Sequence, residues 1–267
     1  MKFKVVIPAR LESTRLPRKV LREIHGRPLV RYAWEAARRA RADEVVIATD
    51  SPEVRETCAA FGADVQMTSK RHASGTDRID EVARKRRWHP ATIVVNLQGD
   101  EPLMPPALVR RAARLLAKDR AADIATLCHP LRTLEDWLNP NFVKVVMDGR
   151  GHALYFSRAP IPWRRDGATR EAPRLPAGLA YRHIGLYAYR VAALRRFSRL
   201  APVALEREEA LEQLRALAAG MTIKVGIASQ PPPRGVDTED DLAAVTALLQ
   251  ERPFDRLRAG FRRDRRG

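Results

Sequence analysis

The sequence predicts an α/β fold built on a Rossmann-like, doubly wound mixed sheet. Three observations point there. Short apolar runs alternate with amphipathic segments through the first 130 residues. The runs are continuously apolar rather than alternating, as in parallel strands covered on both faces. Each polar cluster of interest falls at the carboxyl end of such a run, where open α/β sheets bind their ligands.

In order, residues 3–8 (FKVVIP) read as a first buried strand. A helix follows over 28–40, opening at a proline and repeating apolar residues at Leu29, Ala33, Trp34 and Ala37. EVVIATD is a second strand ending in an acid. Ser51-Pro52 caps a helix that stops at Gly62, and ADVQM is a third strand. TDRIDEVARKRR is a helix, ATIVVNLQGD a fourth strand and PPALVRRAARLLAK a further helix. From about residue 140 the rhythm changes to antiparallel: FVKVVMDGRGHALYFSR reads as a hairpin turning at Asp148-Gly149. A proline- and arginine-rich loop, the strand YRHIGLYAYR, the helix EREEALEQLRALAAG, the strand MTIKVGIA and a helix capped near Thr238 complete the chain. One domain is expected over 1–250, with a nucleotide-binding half (1–130) and an antiparallel half (131–250). Residues 252–267 carry seven arginines and two aspartates and are expected to form a disordered basic tail from 251 on.

The formal net charge is +17. Such a balance suggests nucleic acid, but the arginine clusters lack interleaved aromatics and no nucleic-acid-binding motif is present. They read as a basic surface, and no nucleic-acid partner is expected. No run of 18 or more apolar residues occurs, so no membrane span is expected. The N-terminal apolar run is shorter than a signal peptide needs, which implies a cytoplasmic protein. The two cysteines, Cys58 and Cys128, read as small buried hydrophobes, and the six histidines show no zinc spacing.

The loop after the first strand, PARLESTRLPRK, contains no glycine. It is therefore neither the GxGxxG dinucleotide turn nor a P-loop. It offers Arg10, Arg15, Arg18 and Lys19 instead, with Ser13 and Thr14. Cationic side chains suit a triphosphate whose pyrophosphate departs. A triphosphate calls for a divalent cation, and magnesium favours one or two carboxylates with phosphate oxygens and water. Asp100 ends a buried strand in LQGDEP, after a glycine that permits close backbone approach. Asp237, in RGVDTEDDL, precedes a helix and reads equally well as its cap.

The motifs PARLESTRLPRK, TSKRHASGTDR, VNLQGDEP, NPNFVKVV, YFSRAPIPW, RHIGLYAYR, LEQLR and GVDTEDDL occur in this order over roughly residues 3–250. Together they resemble the 3-deoxy-manno-octulosonate (Kdo) cytidylyltransferases. The resemblance implies a nucleotide-diphospho-sugar transferase fold with an antiparallel dimerisation elaboration, a homodimer, and magnesium as cofactor. The implied reaction is CTP + Kdo → CMP-Kdo + pyrophosphate, which activates Kdo for lipopolysaccharide synthesis. By motif match, Arg10 and Lys19 bind the triphosphate, with Ser13, Thr14 and Arg15 shaping the loop. Ser74 and Arg78 frame the cytosine. Asp100 and Asp237 hold magnesium and act with Lys19 in catalysis. Gln98, Arg158, His183, Tyr187, Glu212 and Gln213 surround the sugar acid. Residue chemistry agrees: Arg158 suits a carboxylate, and Gln98, His183 and Gln213 suit hydroxyls. Taken alone, His183 reads as a surface strand residue, and Glu212 and Gln213 as the solvated face of a helix. Arg18 stands where the family has glycine, so the loop is expected to bend differently or to carry that charge outward. The closest alternative substrates are 8-amino-Kdo and sialic-acid-like sugars. The alternative from another class is a non-catalytic nucleic-acid-binding protein, motivated by the charge.

Overall fold

The computed structural model describes residues 1–13, 15–72, 74–166, 172–233 and 235–251. Its first half runs β1 (Lys4–Pro8), a 3-10 turn (Lys19–Leu21), the short pair β2 (Glu23–Ile24) and β3 (Arg27–Pro28), then α1 (Leu29–Arg39) and β4 (Glu44–Thr49). It continues through α2 (Pro52–Ala60), β5 (Asp64–Met67), α3 (Gly75–Lys85), β6 (Ile93–Asn96), α4 (Pro106–Lys118) and β7 (Ile124–Pro130). The second half comprises α5 (Leu134–Leu138), β8 (Lys144–Met147), β9 (Ala153–Ser157), β10 (Tyr181–Arg190), α6 (Val191–Phe197) and α7 (Ala204–Glu209). It ends with α8 (Gln213–Ala218), β11 (Ile223–Ile227) and α9 (Glu239–Glu251).

The large sheet has the order β11-β7-β10-β6-β1-β4-β5. β1 pairs in parallel with both β4 and β6, Val5 standing between Val45 and Val95. Alternate residues of β1 enter different cores, which is why the strand is apolar throughout. Val5 and Ile7 pack with α1, α2 and α4, whereas Val6 packs with α3, α6 and α8. This is the doubly wound arrangement expected of continuous apolar strands. Both cysteines are free and buried, and burial pushes their thiols up to about 12.

Two features of the second half differ from the sequence expectation. The strand YRHIGLYAYR is not part of a peripheral elaboration. As β10 it lies inside the sheet, antiparallel to both β6 and β7. The expected hairpin is present as β8 and β9, and β8 joins the sheet through the pair Arg182–Lys144. The single helix expected over EREEALEQLRALAAG is broken. Ala210 takes a left-handed conformation (φ 49°, ψ 49°) between α7 and α8. The carbonyl of Glu206 accepts from the backbone N–H groups of both Ala210 and Leu211, which closes α7. Leu211 and Leu214 then turn into the core, and that burial overrides the helical propensity of the run.

A third apolar cluster decides the position of the chain's last helix. Leu16 of the basic loop and Val236 are fully buried together with Ile24, Leu29, Tyr32, Leu242, Val245 and Leu249. Burying a leucine of this kind contributes about 1.5–3 kcal/mol. The cluster thereby docks the N-terminal end of α9 beside the loop that follows β1.

Candidate active site

The basic loop leaves β1 at the carboxyl edge of the sheet. Leu16 anchors it, and Arg10 crosses to donate from Nη2 to the carbonyl of His72 at 2.5 Å. Ser13 is half-buried within it, and Thr14 lies outside the described residues. Arg18 keeps the left-handed bend that suits glycine (φ 57°, ψ 29°), and its side chain is 60 % exposed and paired with Glu53. The charge is therefore carried outward and the bend is retained. A non-glycine residue in this conformation costs roughly 1–2 kcal/mol, while an exposed ion pair returns about 0–1 kcal/mol. Arg18→Gly is expected to raise unfolding stability by up to about 1 kcal/mol, read as a higher urea midpoint with an unchanged turnover rate.

Lys19 opens the 3-10 turn, and its ammonium meets two carboxylates. Nζ donates to Asp100 Oδ2 and, at 3.0 Å, to Asp237 Oδ1. Arg15 Nη2 also lies 3.0 Å from Asp237 Oδ1. Two glycines allow this convergence. A Cβ on Gly99 would stand 3.1 Å from the Pro8 carbonyl oxygen, and one on Gly235 would stand 3.0 Å from Glu101 Oε1 and 3.1 Å from the Asp100 carbonyl oxygen. The Val236 N–H donates to that same Asp100 carbonyl at 2.9 Å. Asp237 does not cap α9. Thr238 Oγ1 accepts from the Asp241 N–H at 3.2 Å, and Asp241 Oδ2 accepts from the N–H groups of Thr238 and Asp237. The carboxylate of Asp237 is thus left to face Lys19.

Glu101, which the sequence reading passed over, is the third acid here. Burial first, and then the charges of Asp100 and Asp237, push its carboxyl up to about 8. A buried acid held neutral beside two others marks a place where negative charge is crowded and a cation is favoured. The signal was present in the sequence, since Glu101 directly follows Asp100 in LQGDEP. Asp100 and Asp237 are the residues that could hold a divalent cation such as magnesium, with phosphate and water completing its shell.

Beside this cluster, Ser74 caps α3 in a reciprocal box with Asp77, both bonds being 3.2 Å. Arg78 is completely buried. It donates to Thr68 Oγ1 and, at 2.7 Å, to Asp50 Oδ2, while its Nε has no hydrogen-bond partner. The segment before α3 is tied down by Glu81, which accepts from the Ser69 N–H at 2.8 Å and from His72. Burial opposes ionisation of Glu81, but bonds from Lys85, Ser69 and His72 outweigh it and hold the carboxyl at about 2. Because the folded value lies below the unfolded one, this stabilisation is complete above pH ~4.5 and is lost as pH falls through the folded value. Glu81→Gln is expected to flatten the stability–pH curve in that acid range by about 1–2 kcal/mol, measured by urea unfolding at several pH values.

A polar and aromatic wall continues from there. Gly75 lies against Pro8, with Gln98 Oε1 4.0 Å from its Cβ position, and Gln98 Nε2 donates to Asn96 Oδ1 at 3.1 Å. His183 and Tyr187 flank an irregularity in β10, where the register against β7 shifts between Ile184 and Tyr187. Thr126 Oγ1 fills that bulge, lying 2.8 Å from His183 Nε2 and bonding the carbonyls of Ile184 and Leu186. Bulges of this kind re-aim side chains. Rings then follow one another through Phe156, His183, Tyr187, Tyr189 and Phe197, the first pair edge-on and the others tilted. His183 keeps some accessible surface, yet it lies deep in the fold. Burial, with the charge of Arg182, pushes its imidazole down to about 3. Burial likewise raises the Tyr187 phenol. Gln213 is buried, and Glu212 Oε2 accepts from Thr76 Oγ1 at 2.7 Å. Neither His183 nor the Glu212–Gln213 pair is therefore an ordinary solvated surface residue. Arg158, at the end of β9, donates from Nε to the Glu209 carbonyl at 2.7 Å and from Nη1 to the Pro140 carbonyl at 3.1 Å.

Residues 4–223 match the family model described as cytidylyltransferase. The 3-deoxy-manno-octulosonate cytidylyltransferase of Marinobacter nauticus is 52% identical over 94% of this chain and 98% of its own length. The chain belongs to the 3-deoxy-manno-octulosonate cytidylyltransferase family. The enzyme of that name from Thioalkalivibrio sulfidiphilus is 50% identical over 94% of the chain and all of its own length. A solved structure of CMP:2-keto-3-deoxy-manno-octonic acid synthetase complexed with CTP superposes with a TM-score of 0.85 at 40% identity, covering 94% of this chain and 99% of that one. A cytidylyltransferase from Leptospira borgpetersenii, at 16% identity, shares the fold with a TM-score of 0.61, covering 94% of this chain and 87% of its own. The matches to Kdo cytidylyltransferases thus extend over nearly the whole chain.

Proposed function

We propose that this chain transfers CMP from CTP to the anomeric hydroxyl of Kdo, forming CMP-Kdo and releasing pyrophosphate. The observation that carries the reading is the meeting of Lys19, Asp100 and Asp237 at the carboxyl edge of β1 and β6. It occurs in a chain half identical to enzymes named for this activity. Asp100 and Asp237 would hold magnesium, which when bound neutralises phosphate charge and lowers the pKa of the attacking hydroxyl.

The remaining work is positioning and charge compensation, as in phosphoryl-type transfers generally. Lys19 carries three donors, so an arriving triphosphate can draw its ammonium from the carboxylates and hold the departing pyrophosphate. Arg10 and Arg15 add charge on the same side, and the motif match gives Ser13 and Thr14 a part in binding the triphosphate. Ser74 and Arg78 set the floor on which the base rests. Arg158 pairs with the sugar carboxylate, and Gln98, His183, Tyr187, Glu212 and Gln213 direct its hydroxyls. Burial pushes the His183 imidazole down to about 3, which keeps it neutral near pH 7. It offers a hydrogen bond rather than a proton, and no side chain is required as a general base.

A homodimer formed through the antiparallel segment fits the same reading, since Leu154 and Leu179 are each 62 % exposed there and Trp163 45 %. No helix among the described residues is long and apolar enough to cross a membrane. The test is pyrophosphate release from purified protein with CTP and magnesium against Kdo, 8-amino-Kdo and sialic acid. Release with Kdo as the preferred acceptor supports the reading, and no release with any of them ends it.

A further inference from the structure

We infer that Glu209 is a positioning residue that assembles the sugar-acid side of the site by fastening Arg158 to the turn carrying Glu212 and Gln213. The inference rests on the proposed role of Arg158 toward the sugar carboxylate.

Glu209 is the last residue of α7, immediately before the left-handed Ala210 that breaks the helix. Its carboxylate accepts from Ser157 Oγ through one oxygen and from the Arg158 N–H at 2.8 Å through the other. Its own carbonyl accepts from Arg158 Nε at 2.7 Å. One residue thus grips the end of β9 with both its side chain and its backbone. The opposite side of Arg158 is held as well. Lys144, fully buried, donates from Nζ to the Arg158 carbonyl and, at 3.0 Å, to the Asn139 carbonyl. Glu209 is the nearby acid whose charge favours that buried ammonium. The N–H, C=O and Nε of Arg158 are all engaged, and Pro140 holds Nη1.

Three residues beyond Glu209 stands Glu212, which Thr76 ties to α3, and Gln213 follows it. Arg158 and the 212–213 pair lie more than 50 residues apart in the chain, and Glu209 is the side chain that joins their supports. Both of its carboxylate oxygens are taken up by Ser157 and Arg158, so it acts through Arg158. Supports of this kind fix reacting groups to fractions of an ångström.

Steady-state kinetics on the full chain with CTP, magnesium and Kdo test the assignment. Glu209→Ala is expected to raise the KM for Kdo by about tenfold or more, leaving the KM for CTP and kcat within about twofold. Glu209→Gln retains part of the bonding and is expected to recover most of the loss, with a rise of about two- to fivefold. If Glu209→Ala does not fold, Glu209→Gln alone decides the matter. An unchanged KM for Kdo in both variants overturns the inference. So does a proportionate loss for both substrates, which signals general structural damage. Arg158→Lys runs in parallel. If it leaves the KM for Kdo unchanged while Glu209→Ala raises it, the role given to Arg158 is wrong and the coupling through it falls with it.

Discussion

Asp100→Asn is expected to slow pyrophosphate release by on the order of 10²–10⁴-fold without unfolding the protein. The substitution keeps size and one acceptor oxygen, turns the other into a donor, and removes one full charge from the point where Lys19 and Asp237 converge. Stability is expected to change by less than about 1 kcal/mol, for a reason visible in the neighbouring acid. Glu101 is held at about 8 partly by the charge of Asp100, so three carboxyls crowd one edge of the sheet. Removing one relieves repulsion while Lys19 keeps Asp237 as partner. The variant should therefore melt close to the wild-type temperature yet turn over almost no CTP. A pyrophosphate-release assay beside a thermal melt separates the two effects. Near-normal turnover would show that Asp100 does not carry the charge the reaction needs.

How much of this could be read from the sequence differs from element to element. The strands and helices around β1 were readable because both faces of the sheet are covered, so burial wrote continuous apolar runs into the chain. Asp100 was readable for the same reason, as an acid ending such a run. Asp237 was ambiguous. Only the structure shows Thr238 and Asp241 forming the helix cap and leaving Asp237 for Lys19. What brings that acid across 218 residues is the packing of Leu16 with Val236, a long-range contact that no local pattern encodes. The break at Ala210 was hidden because alanine is the strongest helix former. The cause lies in the burial of Leu211 and Leu214. Likewise, the strand pattern of residues 181–190 could not say that β10 enters the sheet between β6 and β7, since position in a sheet depends on partners rather than on periodicity. The departure at Arg18 was readable as a conflict between residue type and turn. Its outcome depended on Glu53, which is close only in the fold.

Lys19→Met tests the other half of the cluster and should move stability as well as rate. Burial alone would pull the lysine ammonium down, but Asp100 and then Asp237 more than reverse this, leaving its pKa raised. A cation with a raised folded value contributes stability fully below the unfolded value of ~10.5 and loses it only as pH climbs through the folded one. Measurements near pH 7.5 therefore see the whole effect. Breaking a buried pair by removing one partner can cost 3–5 kcal/mol. Here Lys19 is 14 % exposed but Asp237 is 46 % exposed, so water screens the remaining charges. A loss of about 1–2 kcal/mol is the appropriate scale, or roughly 3–6 °C in melting temperature for a chain of this size. The methionine variant leaves Asp100, Asp237 and the neighbouring Glu101 without the lysine ammonium, with only the exposed Arg15 still paired to Asp237. Millimolar magnesium should then restore much of the lost stability, and the magnesium-induced rise in melting temperature should exceed that of the wild type. Turnover should still fall by about 10²–10³, because in the proposed reaction the ammonium holds the departing pyrophosphate and no added metal replaces it. Equal magnesium responses in the two proteins would separate Lys19 from the two acids, and a normal rate would remove it from the reaction.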